Sequence, residues 1–176
     1  MKSIGDINGL EIAWIQPDWS KWQFEIHAGE EIVGTLEWKA GLDSGAIATS
    51  ADGAWSFKHG GFNHPWVRIR PEGKEWDIAR FHLSNWNGNG LLTLHDGRKL
   101  RWGFTNDRRT SWRWDWVNGI PLISIRKALE SEDNMGVIEI HPRWESAPDA
   151  SLLMLLGCYL IVVLNWADMS AEALAG

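Results

Sequence analysis

Cysteine occurs once in this chain of 176 residues, and that one, Cys158, stands inside an apolar run. An intramolecular disulfide is therefore excluded, and with it a small fold stapled by cross-links. The segment from Met1 to Gln16 lacks the apolar core of a signal peptide. Together the two absences predict a reducing, cytoplasmic setting. Linkers, low-complexity tracts and long blocks of one charge are missing as well. Residues 1–176 are therefore expected to form one domain with material for a sizeable core. The chain has no G-x-S-x-G elbow, and no glycine-rich loop opens a helix. The six histidines do not cluster: His59 and His64, five apart, do not have a ligand spacing. The loop from Glu130 to Gly136 alternates oxygen-bearing side chains, but His141 stands where a calcium loop needs its last glutamate. The expectation is a protein that is not an enzyme and has no metal or cofactor. A net charge of −6 speaks against a general nucleic-acid binder.

What the chain does have is a run of thirteen uncharged residues, Leu152 to Leu164, near its C-terminus. A helix there is apolar on every face and must be enclosed. At 1.5 Å per residue the run spans ~20 Å, short of the ~30 Å hydrocarbon core of a bilayer. Its flanks are acidic, with Glu145 and Asp149 before it and Asp168 and Glu172 after it. The run is therefore expected not to be a transmembrane segment. A helix over about 149–166 buried in its own protein is predicted, capped by Ser146 or Asp149 with Pro148 in the first turn. Gly157 in its middle costs helix stability, so close packing is expected there.

Everything before it reads as short strands. Fourteen tryptophans recur largely at period two, as in Trp22/Phe24/Ile26, Trp55/Phe57 and Trp112/Trp114/Trp116. Turn residues punctuate twelve strands, at 10–16, 21–28, 31–39, 45–50, 53–59, 65–70, 75–83, 90–95, 98–104, 111–117, 120–126 and 136–141. An eight-stranded barrel holds only its own side chains, whereas about eleven strands can enclose a helix. Twelve strands and one all-apolar helix thus predict an all-β closed barrel around a buried C-terminal helix.

Two hairpins can be registered. Asn118-Gly119 suits a two-residue type I′ turn, which puts Trp112, Trp114 and Trp116 on one face with Pro121, Ile123 and Ile125. A three-residue loop His95-Asp96-Gly97 aligns Leu92 and Leu94 with Leu100, Trp102 and Phe104, whereas a two-residue loop would mix them with Lys99 and Arg101. Trp112, Trp114 and Trp116 are assigned to the core rather than to a sugar-binding or base-stacking surface, whereas Trp19, Trp66, Trp76 and Trp86 sit near strand ends or loops, where a membrane-facing role stays open. Charge concentrates on the outer face. Residues 98–127 hold eight basic and two acidic side chains, whereas 1–97 hold eight basic and thirteen acidic. Lys99, Arg101, Arg113 and Arg126, with Arg108 and Arg109 in the connecting loop, form the candidate site for an anionic head group. The alternative is a solvated face partly neutralised by Asp107 and Asp115.

The strand succession from Leu10 to His141, followed by the apolar helix from Asp149 to Asn165, resembles the tubby C-terminal-like superfamily. This group includes tubby proteins, phospholipid scramblases and LURP-one-related proteins. The resemblance implies a twelve-stranded barrel around a hydrophobic C-terminal helix, and a binding role rather than catalysis. The cysteine-rich and proline-rich segments of scramblases are missing here, so their features are not carried over. The combined expectation is a non-catalytic domain, cytoplasmic or peripheral to the membrane, contacting an anionic phospholipid surface. A protein-interaction scaffold without lipid contact is the alternative. Oligomeric state is not fixed by the sequence.

Overall fold

The computed structural model describes residues 1–7, 9–84, 88–128, 134–142 and 149–175, with no side-chain description for residues 43, 134 and 165–175. Its strands are β1 (Ile12–Ile15), β2 (Gln23–Ala28), β3 (Glu31–Trp38), β4 (Ala46–Ser50), β5 (Gly53–Gly60) and β6 (Trp66–Pro71), then β7 (Ala79–Leu83), β8 (Gly90–Leu94), β9 (Lys99–Phe104), β10 (Ser111–Trp116), β11 (Pro121–Lys127) and β12 (Asn134–Ile140). Each strand pairs antiparallel with its neighbours in sequence, and β1 closes on β12 through Ile12 and Ile138, giving a closed twelve-stranded barrel. Helix α1 (Ala150–Ala175) runs through it. Alternation along β1, β2, β6 and β10 sends every second side chain into the core, as their period-two sequences require.

Enclosure of α1 explains why thirteen uncharged residues are tolerated. Every residue from Ala150 to Val162 is buried. The helix starts where Asp149 accepts the Leu152 N–H at 3.0 Å. Ser146 and Pro148, the other expected start signals, lie outside the described residues. Close packing at Gly157 is found: a Cβ there would come within 2.6 Å of Ile125 Cδ1 and 3.2 Å of Trp102. Trp114 Nε1 donates to the Leu153 carbonyl at 2.8 Å, and Trp38 stacks on Tyr159 with centroids 5.3 Å apart. The Tyr159 hydroxyl lies 2.9 Å from His59 Nδ1.

The β8–β9 register is the expected one, with Leu92 opposite Leu100 and the Leu94 N–H closing a three-residue loop on the Arg98 carbonyl. The β10–β11 turn differs. Trp116 N–H reaches the Ile120 carbonyl, so the loop is Val117-Asn118-Gly119 and only Gly119 has positive φ, at +88°. Asn118 Oδ1 accepts the Ile120 N–H, an Asx-type turn that keeps Asn118 out of the left-handed region. A bulge between Trp114 and Asp115 absorbs the added residue. Trp112 and Trp114 therefore face Ile125 and Ile123 as expected, but Asp115 instead of Trp116 faces Pro121. Strand β7 is also shorter than its sequence suggests, because residues 72–78 form a turn that carries Asp77 back to Arg70 and Arg80.

The ladder fixes the two ends of the barrel. The β1–β2, β3–β4, β5–β6 and β9–β10 connections share the rim at which Val163 and Leu164 of α1 emerge. The β4–β5, β6–β7, β8–β9 and β10–β11 turns share the other rim, where Ser151 of α1 donates to Asp52.

Candidate functional site

The six basic residues singled out from the sequence do not make one patch. Lys99 and Arg101 project outward from β9 and are exposed. Arg113, outward on β10 and half-exposed, holds Asp115 with two hydrogen bonds, Nε at 2.6 Å and Nη2 at 3.1 Å. Asp115 also stands opposite Arg101 across the ladder. Arg101 and Arg113 line one cleft of about 640 Å³ beside Asn89 and Phe104, with Asp115 in its wall. Arg108 and Arg109 sit in the β9–β10 loop, where the Arg109 guanidinium lies 5.3 Å from the Phe104 ring. Lys99 begins β9 at the opposite rim. Arg126 faces Ser111 and Val137 and opens onto a different groove shared with Glu11 and Glu139. The register thus brings Arg101 and Arg113 together, places an acid between them and moves Lys99 and Arg126 away, while Arg109 lines an adjoining cleft that shares Asn89, Phe104 and Thr105 with theirs.

A second basic region lies where the charge count of the sequence gave no signal. The outer faces of β4, β5 and β6 bound a groove of about 220 Å³ lined by Lys39, Lys58, Arg68, Arg70 and Lys74. Lys58 stands opposite Arg68, and Ser56 opposite Arg70. Ser44, Gly45, Ala46, Ile47, Ser56 and Phe57 complete the lining, and among the described side chains no carboxylate is part of it. Two carboxylates stand at its edge: Asp77 binds Arg70 Nε at 2.7 Å and Arg80 Nη2 at 2.9 Å with Arg68 Nε 3.9 Å away, and the fully exposed Glu75 lies 3.9 Å from Arg70 Nη1. Burial pulls the Asp77 carboxyl up, but the hydrogen bonds from Arg70 and Arg80 outweigh it and hold its pKa below the ordinary aspartate value. Lys39 and Lys58 have no ion pair among the described residues. Among the described side chains two carboxylates, Asp77 and the solvent-exposed Glu75, therefore face a cluster of five cations.

Residues 1–97 hide this groove because their net charge is acidic. The signal was the outward alternation Arg68-Ile69-Arg70 on β6 and Lys58 on β5. Using it requires the β5–β6 register, which depends on a five-residue connection with no standard turn signature.

The remaining candidates sort themselves by burial. Trp112 and Trp114 are core residues, Trp66 and Trp116 are half-buried, and Trp19 and Trp76 are exposed. Trp86 and most of the loop Glu130–Gly136 lie outside the described residues. Cys158 is fully buried, and burial pushes its thiol far up from its ordinary pKa, so it is chemically quiet. Ser124 Oγ and His141 Nε2 are 2.7 Å apart on the outer wall. Among the described residues no carboxylate orients the other His141 nitrogen, so the pair lacks the third member of a hydrolytic triad.

Among the described residues no helix is long and apolar enough to cross a membrane. Comparison of the chain with protein-family models, with curated proteins and with solved structures gave no match.

Proposed function

We propose that this protein is a non-catalytic binding domain whose outer wall captures phosphate-bearing anionic head groups at a membrane surface. The observation that carries this reading is the groove of Lys39, Lys58, Arg68, Arg70 and Lys74, whose five cations outnumber the two carboxylates described at its edge, Asp77 and Glu75. Guanidinium forks and lysine ammonium groups converging on one small concavity suit a phosphate, whose oxygens accept several charge-assisted hydrogen bonds at once. The wall of Arg101 and Arg113 is the weaker site, because Asp115 already occupies the Arg113 fork. A binding role is also what the resemblance to the tubby C-terminal-like superfamily implies.

Attraction to an anionic surface is worth about 1 kcal/mol per nearby basic side chain and fades with salt. Five such residues give at most ~5 kcal/mol, which corresponds to a dissociation constant no tighter than about 0.2 mM. The association is therefore weak and salt-sensitive.

Co-sedimentation with vesicles of phosphatidylcholine and phosphatidylserine at low and high salt tests the reading. Wild-type protein is expected to bind at low salt, and the Lys58→Glu/Arg68→Glu variant to stay in the supernatant. Loss of binding in Arg101→Glu/Arg113→Glu instead would move the site to the wall of β9 and β10. No binding of wild-type protein to these vesicles or to a soluble phosphate ester would overturn the reading and leave a protein-interaction scaffold.

A further inference from the structure

The groove by itself gives only marginal attachment, and durable association of a protein with a bilayer takes a second, apolar contribution. The connection between β5 and β6 supplies one. Phe62 at its tip is 87% exposed, the most exposed of the large apolar side chains described. The loop around it is preformed. Gly61 has a φ of +82°, and a Cβ there would come within 2.4 Å of the His64 carbonyl oxygen. A Cβ at Gly60 would strike the Trp66 ring at 2.5 Å. Trp66 thus covers the two glycines, and the Arg68 guanidinium lies 5.8 Å from its ring. The segment Gly60–Trp66 therefore holds a phenylalanine out in water by a built geometry, in direct continuity with a groove arginine.

Position completes the case. Phe62 extends the strand pair that carries Lys58 and Arg68, which face each other. Four residues separate Lys58 from Phe62, a rise of roughly 13 Å at ~3.3 Å per residue. Lys39 and Ser44 enter the groove from the β3–β4 connection on the same rim. Trp19, 61% exposed, projects from that rim on the β1–β2 connection. A flat anionic surface meeting this side of the barrel encounters cations on the wall and aromatic side chains at the edge.

Building on the head-group reading above, we infer that the barrel docks on an anionic bilayer tilted onto its β4–β6 side, with Phe62 inserted among the lipid chains near the interface. The bilayer is the occupant, rather than a soluble phosphate compound, because a dissolved ligand in the groove leaves Phe62 in water. Aromatic side chains are favoured at the membrane interface, and the groove places lipid phosphates at the matching height.

The single native cysteine makes the test clean. Cys158 is buried, so Phe62→Cys can be labelled selectively with an environment-sensitive fluorophore. Addition of phosphatidylcholine/phosphatidylserine vesicles is expected to shift its emission to the blue and shield it from iodide. Glycerophosphate, a soluble head-group fragment, is expected to leave the label in water. Phe62→Ser is expected to lower vesicle affinity by ~10-fold at unchanged melting temperature, and Phe62→Trp to retain it. Vesicle binding with an unshifted label and an unweakened Phe62→Ser variant would overturn the insertion while leaving the groove reading intact. Binding of glycerophosphate without binding of vesicles would do the same. Failure of both ligands to bind would remove the groove reading as well.

Discussion

Along β10, Trp112 and Trp114 turn inward onto α1, while Arg113 and Asp115 alternate with them and turn out to solvent. The two faces of this one strand are governed by different physics. Inside, each side chain is enclosed by partners on α1 and on facing strands, so identity and volume are tightly set. Outside, a side chain is constrained only by its ladder neighbours, and its role depends on which residues the register brings beside it. The inner face therefore sets stability, and the outer face is where the proposed binding would be set. A substitution reveals which face it touches by which of the two it changes.

The largest effect is expected at the centre of α1. Leu156 is fully buried, and Leu156→Asp places an unpaired charge where no water reaches. The cost of several kcal/mol is comparable with a typical total stability of ~5–15 kcal/mol. The variant is expected to lose its cooperative thermal transition, and a melt like that of wild-type protein would break the comparison at its root. Gly157→Ala is the next step down. Its new methyl meets Ile125 and Trp102, and overpacking costs ~1–3 kcal/mol against ~1 kcal/mol gained in helix propensity. A lowered urea midpoint is expected, whereas a raised one would reveal slack around the helix.

A finer test compares two neighbouring indoles whose rings are 4.9 Å apart. Trp114 Nε1 is satisfied by Leu153, whereas Trp102 Nε1 is buried with no hydrogen-bond partner among the described residues. Phenylalanine at either position removes similar volume, but only Trp114→Phe loses a hydrogen bond. Trp114→Phe is expected to be less stable than Trp102→Phe by ~1 kcal/mol in urea unfolding.

Acidity separates the faces by sign. Burial raises the Asp149 pKa above the ordinary aspartate value; the Leu152 N–H pulls against this and the charge of Asp52 adds to it. The folded state thus holds that proton more tightly than the unfolded chain does. The stability it contributes is complete below the unfolded pKa and is lost as pH rises through the folded one. Asp77, held low by Arg70 and Arg80, contributes stability that is present above the ordinary value and lost as pH falls through its folded pKa. Urea midpoints should therefore lose, in Asp149→Asn, the decline that accompanies rising pH just above the ordinary aspartate pKa and, in Asp77→Asn, the decline that accompanies falling pH just below it. The smallest effect on stability is expected for Lys58→Glu/Arg68→Glu and for Arg101→Glu/Arg113→Glu, within ~0.5 kcal/mol at the exposed Lys58 and Arg101 and about 1 kcal/mol at the half-buried Arg68 and Arg113, which lose their contacts with Trp66 and Asp115. A large drop in melting temperature for either pair would mean that the outer face also carries the fold.

The same division explains what was legible in the sequence. Period-two aromatics, turn residues and one uncharged run report inner-face burial directly, so the twelve strands, the enclosed helix and the tight approach at Gly157 could all be read from it. Turn geometry was less legible at Asn118-Gly119, where an Asx bond chose the longer loop. The outer wall was least legible. Arg126 and Arg101 are close in a charge count but open onto different grooves, because β10 and its Asp115 intervene. Lys58 and Arg68 are ten positions apart yet directly opposed. Charge on a barrel wall becomes a site only once neighbouring strands are in register.

Helix α1 follows all twelve strands in the chain, so synthesis delivers the strands before the segment that fills them. The closing pair, Ile12 with Ile138, spans most of the sequence, and contacts of such range make folding slow. Until α1 arrives, the inner faces of the strands have nothing to bury against, and their unpaired edges are open to other chains. The barrel therefore cannot be completed strand by strand as it emerges. It closes in one late event, and its yield in the cell depends on how well the waiting strands are kept apart until then.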